Sequence, residues 1–301
     1  MYELSILLTG ASGFIGQHLL EGAEYLNFKP VYRKNPRLEC ENSFVVGSID
    51  AETNWLGAFE GVDTVIHLAG IAHKKEGEVH PYQVVNFLGT VRLAEFAAAN
   101  GVKRFIFLSS VNVDFSLTKE CNPATESKKA AEAALIDISK KTGMDVVIIR
   151  SPLVYGAGVK ANFYNLLKLS GTKLPLPFAC VNNKRSMVYV GNLVDFILRC
   201  INHPHAANET FLVSDSEDLS LRSLVVCIRQ SMGRNPLLLP VPLMFFKFAG
   251  KLTGKEEVVD RLIGDLQVDS SKASDLLDWT PPYDVEQGIQ ITVDNFLKRI
   301  N

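Results

Sequence analysis

The sequence predicts an α/β chain built on a doubly wound parallel sheet, with a smaller mixed α/β region toward its C-terminal end. Three observations predict it. Short runs that are apolar throughout, rather than alternating, recur along the first half of the chain. Stretches with helical spacing lie between them. A glycine-rich turn joins the first run to the first helix. Strands without polar alternation are buried on both faces, and a repeated strand–helix order supplies the helices that bury them.

Taken in order, residues 4–8 (Leu-Ser-Ile-Leu-Leu) form the first run, which ends at Thr9-Gly10; residues 14–26 then carry helical spacing. Further runs suited to buried strands are 44–46, 64–68, 104–108 and 145–149, with helical stretches at 82–100 and 127–141. After Arg150 the alternation becomes irregular and prolines accumulate, at 152, 175, 177, 204, 236, 240, 242, 281 and 282. The expected division is a dinucleotide-binding domain over 1–155, joined by 186–213, and a substrate region formed by 156–185 and 214–301. The apolar stretch 237–250 is interrupted by Pro240, Pro242 and Lys247. It is too short to span a bilayer, which takes about 20 residues, and reads as a buried strand and turn leading into a helix.

The 301 residues are enough for a large buried core, and 47% hydrophobic with 21% charged residues is an ordinary globular balance. The formal net charge of −2 gives no whole-molecule attraction to nucleic acid or to an anionic membrane. Neither a nucleic-acid partner nor membrane insertion is expected. The five cysteines (Cys40, Cys121, Cys180, Cys200, Cys227) form no CxxC pair, which argues against a disulfide framework or zinc site and fits a reducing compartment. His73 and His80 lie in a polar stretch that reads as a solvated loop, and no metal is expected. The N-terminus does not have the pattern of a signal peptide. A cytoplasmic protein is expected.

The segment Thr9-Gly10-Ala11-Ser12-Gly13-Phe14-Ile15-Gly16 spaces glycines at i, i+3 and i+6 between a strand and a helix. That context makes it a Rossmann-type dinucleotide turn. Gly10 permits the tight turn. Gly13 lets the backbone approach a pyrophosphate at the positive end of the helix, and Gly16 lets helix and strand pack closely. Ser12, Phe14 and Ile15 complete the cofactor-binding set in this turn. NAD sites place an acidic residue about 20 positions on, at the end of the second strand. This chain has Tyr32-Arg33-Lys34 there. Arg33 suits a 2′-phosphate through its planar fork, so NADP is preferred over NAD as the cofactor.

Several further segments, added to this turn, resemble the extended short-chain dehydrogenases/reductases of the NAD-dependent epimerase/dehydratase family, in particular UDP-glucose 4-epimerase-like proteins and nucleotide-sugar 4-ketoreductases. His67-Leu68-Ala69-Gly70 is similar to the family's HLAA strand end, and Asn86-Phe87-Leu88-Gly89-Thr90 to its NxxGT helix. Phe107-Leu108-Ser109-Ser110 is similar to the strand that delivers the active-site serine, which falls at Ser110. Pro152-Leu153-Val154-Tyr155-Gly156 is similar to PxxVYG. Residues 185–195 resemble the segment that follows the nucleotide-sugar pocket, and Asp278-Trp279-Thr280-Pro281-Pro282 resembles GWxPP. The resemblance implies an NAD(P)-dependent oxidoreductase or epimerase acting on a nucleotide-linked hexose, by 4-keto reduction or 4-epimerisation. It places Leu68, Ala69, Gly70 and Asn86 beside the cofactor, Lys128 on its ribose, and Ser110 with Asn162, Phe163 and Arg185 on the substrate. Polysaccharide biosynthesis is the setting such products imply.

The family's chemistry rests on Tyr-x-x-x-Lys. Ser127-Lys128 followed by Glu132 matches the lysine half, but Ala124 stands at the tyrosine position, and no tyrosine occurs between Tyr82 and Tyr155. Alanine transfers no proton. Four readings follow: an introduced replacement, against which the short Ser110–Lys128 segment argues; another donor, with Thr125, Glu126, Cys121 and Asp114 nearby; a tyrosine-independent 4,6-dehydratase; or a catalytically impaired NAD(P)-binding regulatory or partner protein. The helices at 82–100 and 127–141 are rich in alanine, and in the family these two form a four-helix dimer interface, so a homodimer is expected.

Overall fold

The apolar runs fold as parallel strands because hydrophobic side chains on both faces demand cover from helices on both sides. The structure is a computed structural model and describes residues 4–34, 42–71, 80–114 and 122–300. In chain order the first elements are β1 (Ser5–Thr9), α1 (Phe14–Gly22), β2 (Asn27–Tyr32), β3 (Phe44–Val45) and β4 (Thr64–His67). One helical run follows, in three parts: α2 (His80–Tyr82), a π-helical stretch (Gln83–Leu88) and α3 (Gly89–Ala99). Then come β5 (Arg104–Ser110), α4 (Pro123–Thr142), β6 (Asp145–Ser151), β7 (Leu153–Tyr155), α5 (Ala161–Ser170), β8 (Met187–Tyr189), α6 (Val190–Asn202), β9 (Thr210–Leu212), α7 (Leu221–Ser231), α8 (Leu243–Thr253), α9 (Glu256–Ile263), α10 (Ser271–Leu277) and α11 (Val285–Ile300).

The chain divides into two compact units. The first comprises 1–151, 194–213 and 270–280; the second comprises 152–193, 214–269 and 281–301. Relative to the division drawn from the sequence, 152–155 and 186–193 fall in the second unit and 270–280 in the first. The reasons are local. β8 pairs with β7 in a two-stranded parallel sheet. Trp279 returns to the first unit, where its indole N–H donates to Asp195 at 2.7 Å and its ring meets Phe196 edge-on at 4.9 Å. Asp278 stands where the family's GWxPP has glycine, and it adopts φ +49° as the cap of α10. Aspartate tolerates that left-handed conformation better than most residues.

The first unit is a seven-stranded parallel sheet of order β3-β2-β1-β4-β5-β6-β9. From β1 the chain builds outward to β2 and β3, then crosses to β4 on the other side of β1. That reversal puts the topological switch point at the carboxyl ends of β1 and β4, where open α/β sheets bind their ligands. One face packs Leu7, Val65, Phe105, Phe107 and Ile148 against Leu93, Ala97, Ala131 and Leu135 of α3 and α4. The helix expected over 14–26 stops at Gly22, because residues from Asn27 enter β2. The helix expected over 127–141 starts earlier, at Pro123, where Asn122 caps it by accepting the Thr125 N–H at 2.9 Å.

The second unit has a small core of Leu176, Phe178, Val181, Leu221, Val225 and Ile263. The stretch 237–250 corrects the expectation of a buried strand. Among the described residues its β-pairing is an isolated bridge between Leu176 and Leu238, and from Leu243 it is the helix α8, most of whose side chains are exposed. Among the described residues, no helix is long and apolar enough to cross a membrane.

Candidate dinucleotide and active site

The site in the first unit begins at the end of β1. Gly10 has φ +76°, and a Cβ there would lie 2.7 Å from the Ala69 nitrogen. The Gly13 N–H donates to the Gly10 carbonyl at 2.8 Å and closes the turn. A Cβ on Gly16 would collide with that same carbonyl and sit 2.8 Å from Ala11 Cα. Helix α1 therefore springs directly from the strand end. Its Gly13 cap supplies no side-chain bond, and no acidic residue lies in its first turn, so its opening amides are oriented for an anion. Ser12 is exposed, and Phe14 and Ile15 are partly buried beside it. These features fit a dinucleotide pyrophosphate. Arg33 and Lys34 are exposed and follow directly on β2, which neighbours β1.

A chain of hydrogen bonds ties this turn to the start of α4. Thr9 and His67 face each other across the β1–β4 register, and Thr9 Oγ1 lies 2.6 Å from His67 Nδ1. His67 Nε2 lies 2.9 Å from Thr90 Oγ1, whose hydroxyl donates to the Asn86 carbonyl at 2.8 Å. Because Thr90 has given its proton to Asn86, it must accept from His67. The imidazole is thus protonated on Nε2, and Nδ1 accepts from Thr9. Thr9 Oγ1 in turn accepts the Ala69 N–H at 3.4 Å. His67 is fully buried. Burial first, and the charge of Lys128 second, hold its pKa down to about 3, so it is neutral.

Asn86 sits in the π-helical stretch, a form often found at functional sites. Its Oδ1 accepts from Ile71 N at 2.7 Å, and its Nδ2 donates to Ile71 O at 3.0 Å and to Ser127 Oγ at 3.1 Å. Ser127 Oγ donates to Ala124 O at 2.9 Å. One asparagine thereby clamps the loop after β4, with Leu68, Ala69 and Gly70, to the first turn of α4. The sequence reading singled out Asn86 but not Thr9, His67, Thr90 or Ser127; the strand register is what joins them.

Ser110 ends β5, and its Oγ accepts the Asn112 N–H at 3.2 Å. Lys128 Nζ donates to the Leu108 carbonyl at 3.3 Å, two residues back along the same strand. The two candidate catalytic groups therefore converge on one strand end. Burial lowers the Lys128 ammonium to about 8, against the pull of Glu132, which favours the charge. Glu132, one turn further along α4, is committed to Arg150, with Arg150 Nη2 donating to Oε2 at 2.6 Å and Nε to Oε1 at 3.1 Å. Asp114 pairs with Arg150 at 3.5 Å. Of the other groups considered as proton donors, Thr125 is buried, Glu126 partly buried, and Cys121 lies outside the described residues.

In the second unit the substrate candidates separate. Asn162 is exposed at the start of α5. Phe163, expected to line a sugar pocket, is 2% exposed and stacks on Tyr155 at 5.2 Å between centroids, which is core packing. The Arg185 guanidinium, expected on the substrate, donates through Nη1 to the carbonyls of Arg261 and, at 3.2 Å, Gly264. Asp215 accepts from Tyr155 Oη at 2.9 Å, Asn192 Nδ2 at 2.8 Å and the Tyr189 N–H. Burial raises the pKa of both Tyr155 and Asp215, so Tyr155 keeps its proton.

The fold and this site define a class: residues 6–214 match the family of NAD dependent epimerases/dehydratases, and the chain belongs to it. Among relatives, it is 41% identical to a UDP-glucose 4-epimerase of Vibrio cholerae, over 99% of this chain and 97% of that protein. It is 31% identical to an N-acetyl-alpha-D-glucosaminyl-diphospho-ditrans,octacis-undecaprenol 4-epimerase of Escherichia coli O157:H7, over 96% and 94%. The fold is similar to that of a UDP-glucuronic acid 4-epimerase from Bacillus cereus in complex with NAD, with TM-score 0.77 and 19% identity over 99% of this chain and 100% of that one.

Proposed function

We propose that the chain is an NAD(P)-dependent 4-epimerase of a diphosphate-linked hexose, with a nucleotide sugar as its substrate. The convergence of Ser110 and Lys128 on the end of β5 carries the reading. Bound on the α1 turn, the nicotinamide dinucleotide would supply a reversible hydride acceptor. The protein's part is to hold the sugar and move a proton. Ser110 Oγ already accepts from Asn112, which leaves its own proton for the oxygen on the reacting carbon. Ala124 transfers no proton, so we assign that task to Lys128, whose amine is partly uncharged near pH 8. The Arg33–Lys34 pair supports a 2′-phosphate and hence NADP, whereas the solved relative holds NAD. Free Cys180, Cys200 and Cys227 suit the cytoplasm. Exposed Leu88, in the π-helical stretch, and Ile136, on α4, support a homodimer.

The test is conversion of UDP-glucose and UDP-N-acetylglucosamine to their 4-epimers with added NAD or NADP, followed chromatographically. Lys128→Met is expected to lower kcat by about 10²- to 10⁴-fold. Absence of both turnover and dinucleotide binding refutes the proposal. Ala124 favours one second reading, a dinucleotide-binding protein without turnover. Its signature is tight NAD(P) binding with activity only after Ala124→Tyr.

A further inference from the structure

Helix α8 has two apolar faces, and among the described residues only one of them is packed. On the inner side Phe246 stacks on Phe178 at 6.0 Å, and Gly250 is packed so tightly that a Cβ would come within 2.9 Å of Val259 Cγ2. On the outer side stand Met244 (70% exposed), Phe245 (57%), Phe248 (67%) and Leu252 (77%). At 3.6 residues per turn these four fall within an arc of about 100°. Leu237 and Leu239, in the loop before the helix, are exposed as well. A surface helix ordinarily sets polar residues opposite its packed stripe, and a contiguous exposed apolar stripe marks an interaction site.

Charge indicates the occupant. From Gly233 to Lys255 the chain carries Arg234, Lys247, Lys251 and Lys255 and no acidic residue. The acids begin at Glu256, on the next helix. Lys247 and Lys251 flank the outer stripe along one edge, by helical spacing. A second copy of this chain meeting the stripe antiparallel about a two-fold axis would bring these lysines toward their own counterparts. An anionic lipid surface meets both features at once, taking the aromatic and aliphatic side chains below its headgroups and pairing the lysines with phosphates.

We propose that the outer face of α8, with Leu237 and Leu239, docks the protein peripherally on a bilayer that contains anionic phospholipid. At 11 residues the helix is too short to span and would lie in the interface plane. Docking of this kind is separable from the reaction proposed above, because its surface lies wholly in the second unit and uses none of Ser110, Lys128 or the α1 turn.

The experiment is flotation of the full chain with phosphatidylglycerol–phosphatidylethanolamine vesicles and with phosphatidylcholine vesicles. The expected result is recovery with the anionic vesicles, weakened by salt. About tenfold or greater loss of affinity is expected both for Phe245→Glu with Phe248→Glu and for Lys247→Glu with Lys251→Glu. Thermal unfolding checks that each variant is folded; if the phenylalanine variant is not, the lysine variant decides. The proposal is overturned if the wild type remains soluble with every vesicle type. Flotation unaffected by the substitutions also overturns it. So does a lipid-free dimer, seen by light scattering, that the phenylalanine variant dissociates, since the face then belongs to a second copy.

Discussion

Acid should unfold this protein through one histidine. His67 is buried between β1 and the helical run, bonded on both ring nitrogens, with its pKa held to about 3 against an ordinary 6.5. In the unfolded chain it takes up a proton as pH falls through 6.5; in the folded chain it does not until about 3. Between those values the unfolded state binds more protons, so stability falls as pH falls. Lowering pH from about 7 to about 5 costs about 2 kcal/mol from this residue alone. Urea unfolding of the wild type and of His67→Gln, across that range, reads the difference. The variant begins less stable, by about 2 kcal/mol at neutral pH, because it loses two hydrogen bonds and ring packing. Its stability should then decline more gently with acid, and the gap between the two proteins should narrow by about 2 kcal/mol. All other groups are the same in both proteins and cancel in the comparison. Parallel pH profiles for the two would refute the account, since they would mean that His67 is already protonated in the native state or never titrates in this window.

Other substitutions separate packing from chemistry. Gly16→Ala places a methyl group against the Gly10 carbonyl, so dinucleotide affinity measured by fluorescence titration should fall by about tenfold or more. Phe163→Ala should lower stability by about 3 kcal/mol in denaturant unfolding, through a cavity beside Tyr155; a change in KM without loss of stability would return Phe163 to the substrate. Arg150→Met strands the buried Glu132 carboxylate and should cost about 3 kcal/mol, most of it recovered when Glu132→Gln is added. The rise of kcat/KM with pH should be centred near the Lys128 value of about 8 and be absent in Lys128→Met.

What could be read from the sequence was local. The glycines of the first turn act within eight residues, so their spacing announces both the strand–helix junction and its anion-binding amides. Lys128 was found because Ser127 and Glu132 flank it in a short pattern. The hydrogen-bonded chain from Thr9 to Asn86 was not legible, because it needs the register that sets Thr9 beside His67, and register is a property of two strands far apart in sequence. Arg185 was placed on the substrate by resemblance, and the carbonyls of α9 and the turn after it that its Nη1 meets come from far along the chain, where no local pattern announces them. Residues 237–250 misled for a different reason. Apolar composition reads as burial, and it does not distinguish a side chain packed inward from one directed outward on the same helix. β9 has three residues, too few to show a pattern, and owes its place to pairing with β6.

The first unit is assembled from three separated lengths of chain, the last of them Ser270–Thr280. On the ribosome this delays completion. A nascent chain can pair β1 to β6 early, but the edge strand β9 must wait for residue 212, and Asp195 and Phe196 lack their indole partner until Trp279 has emerged. A truncation just before Asp278 should therefore yield a sheet that forms but melts early, with protease reaching α6 first.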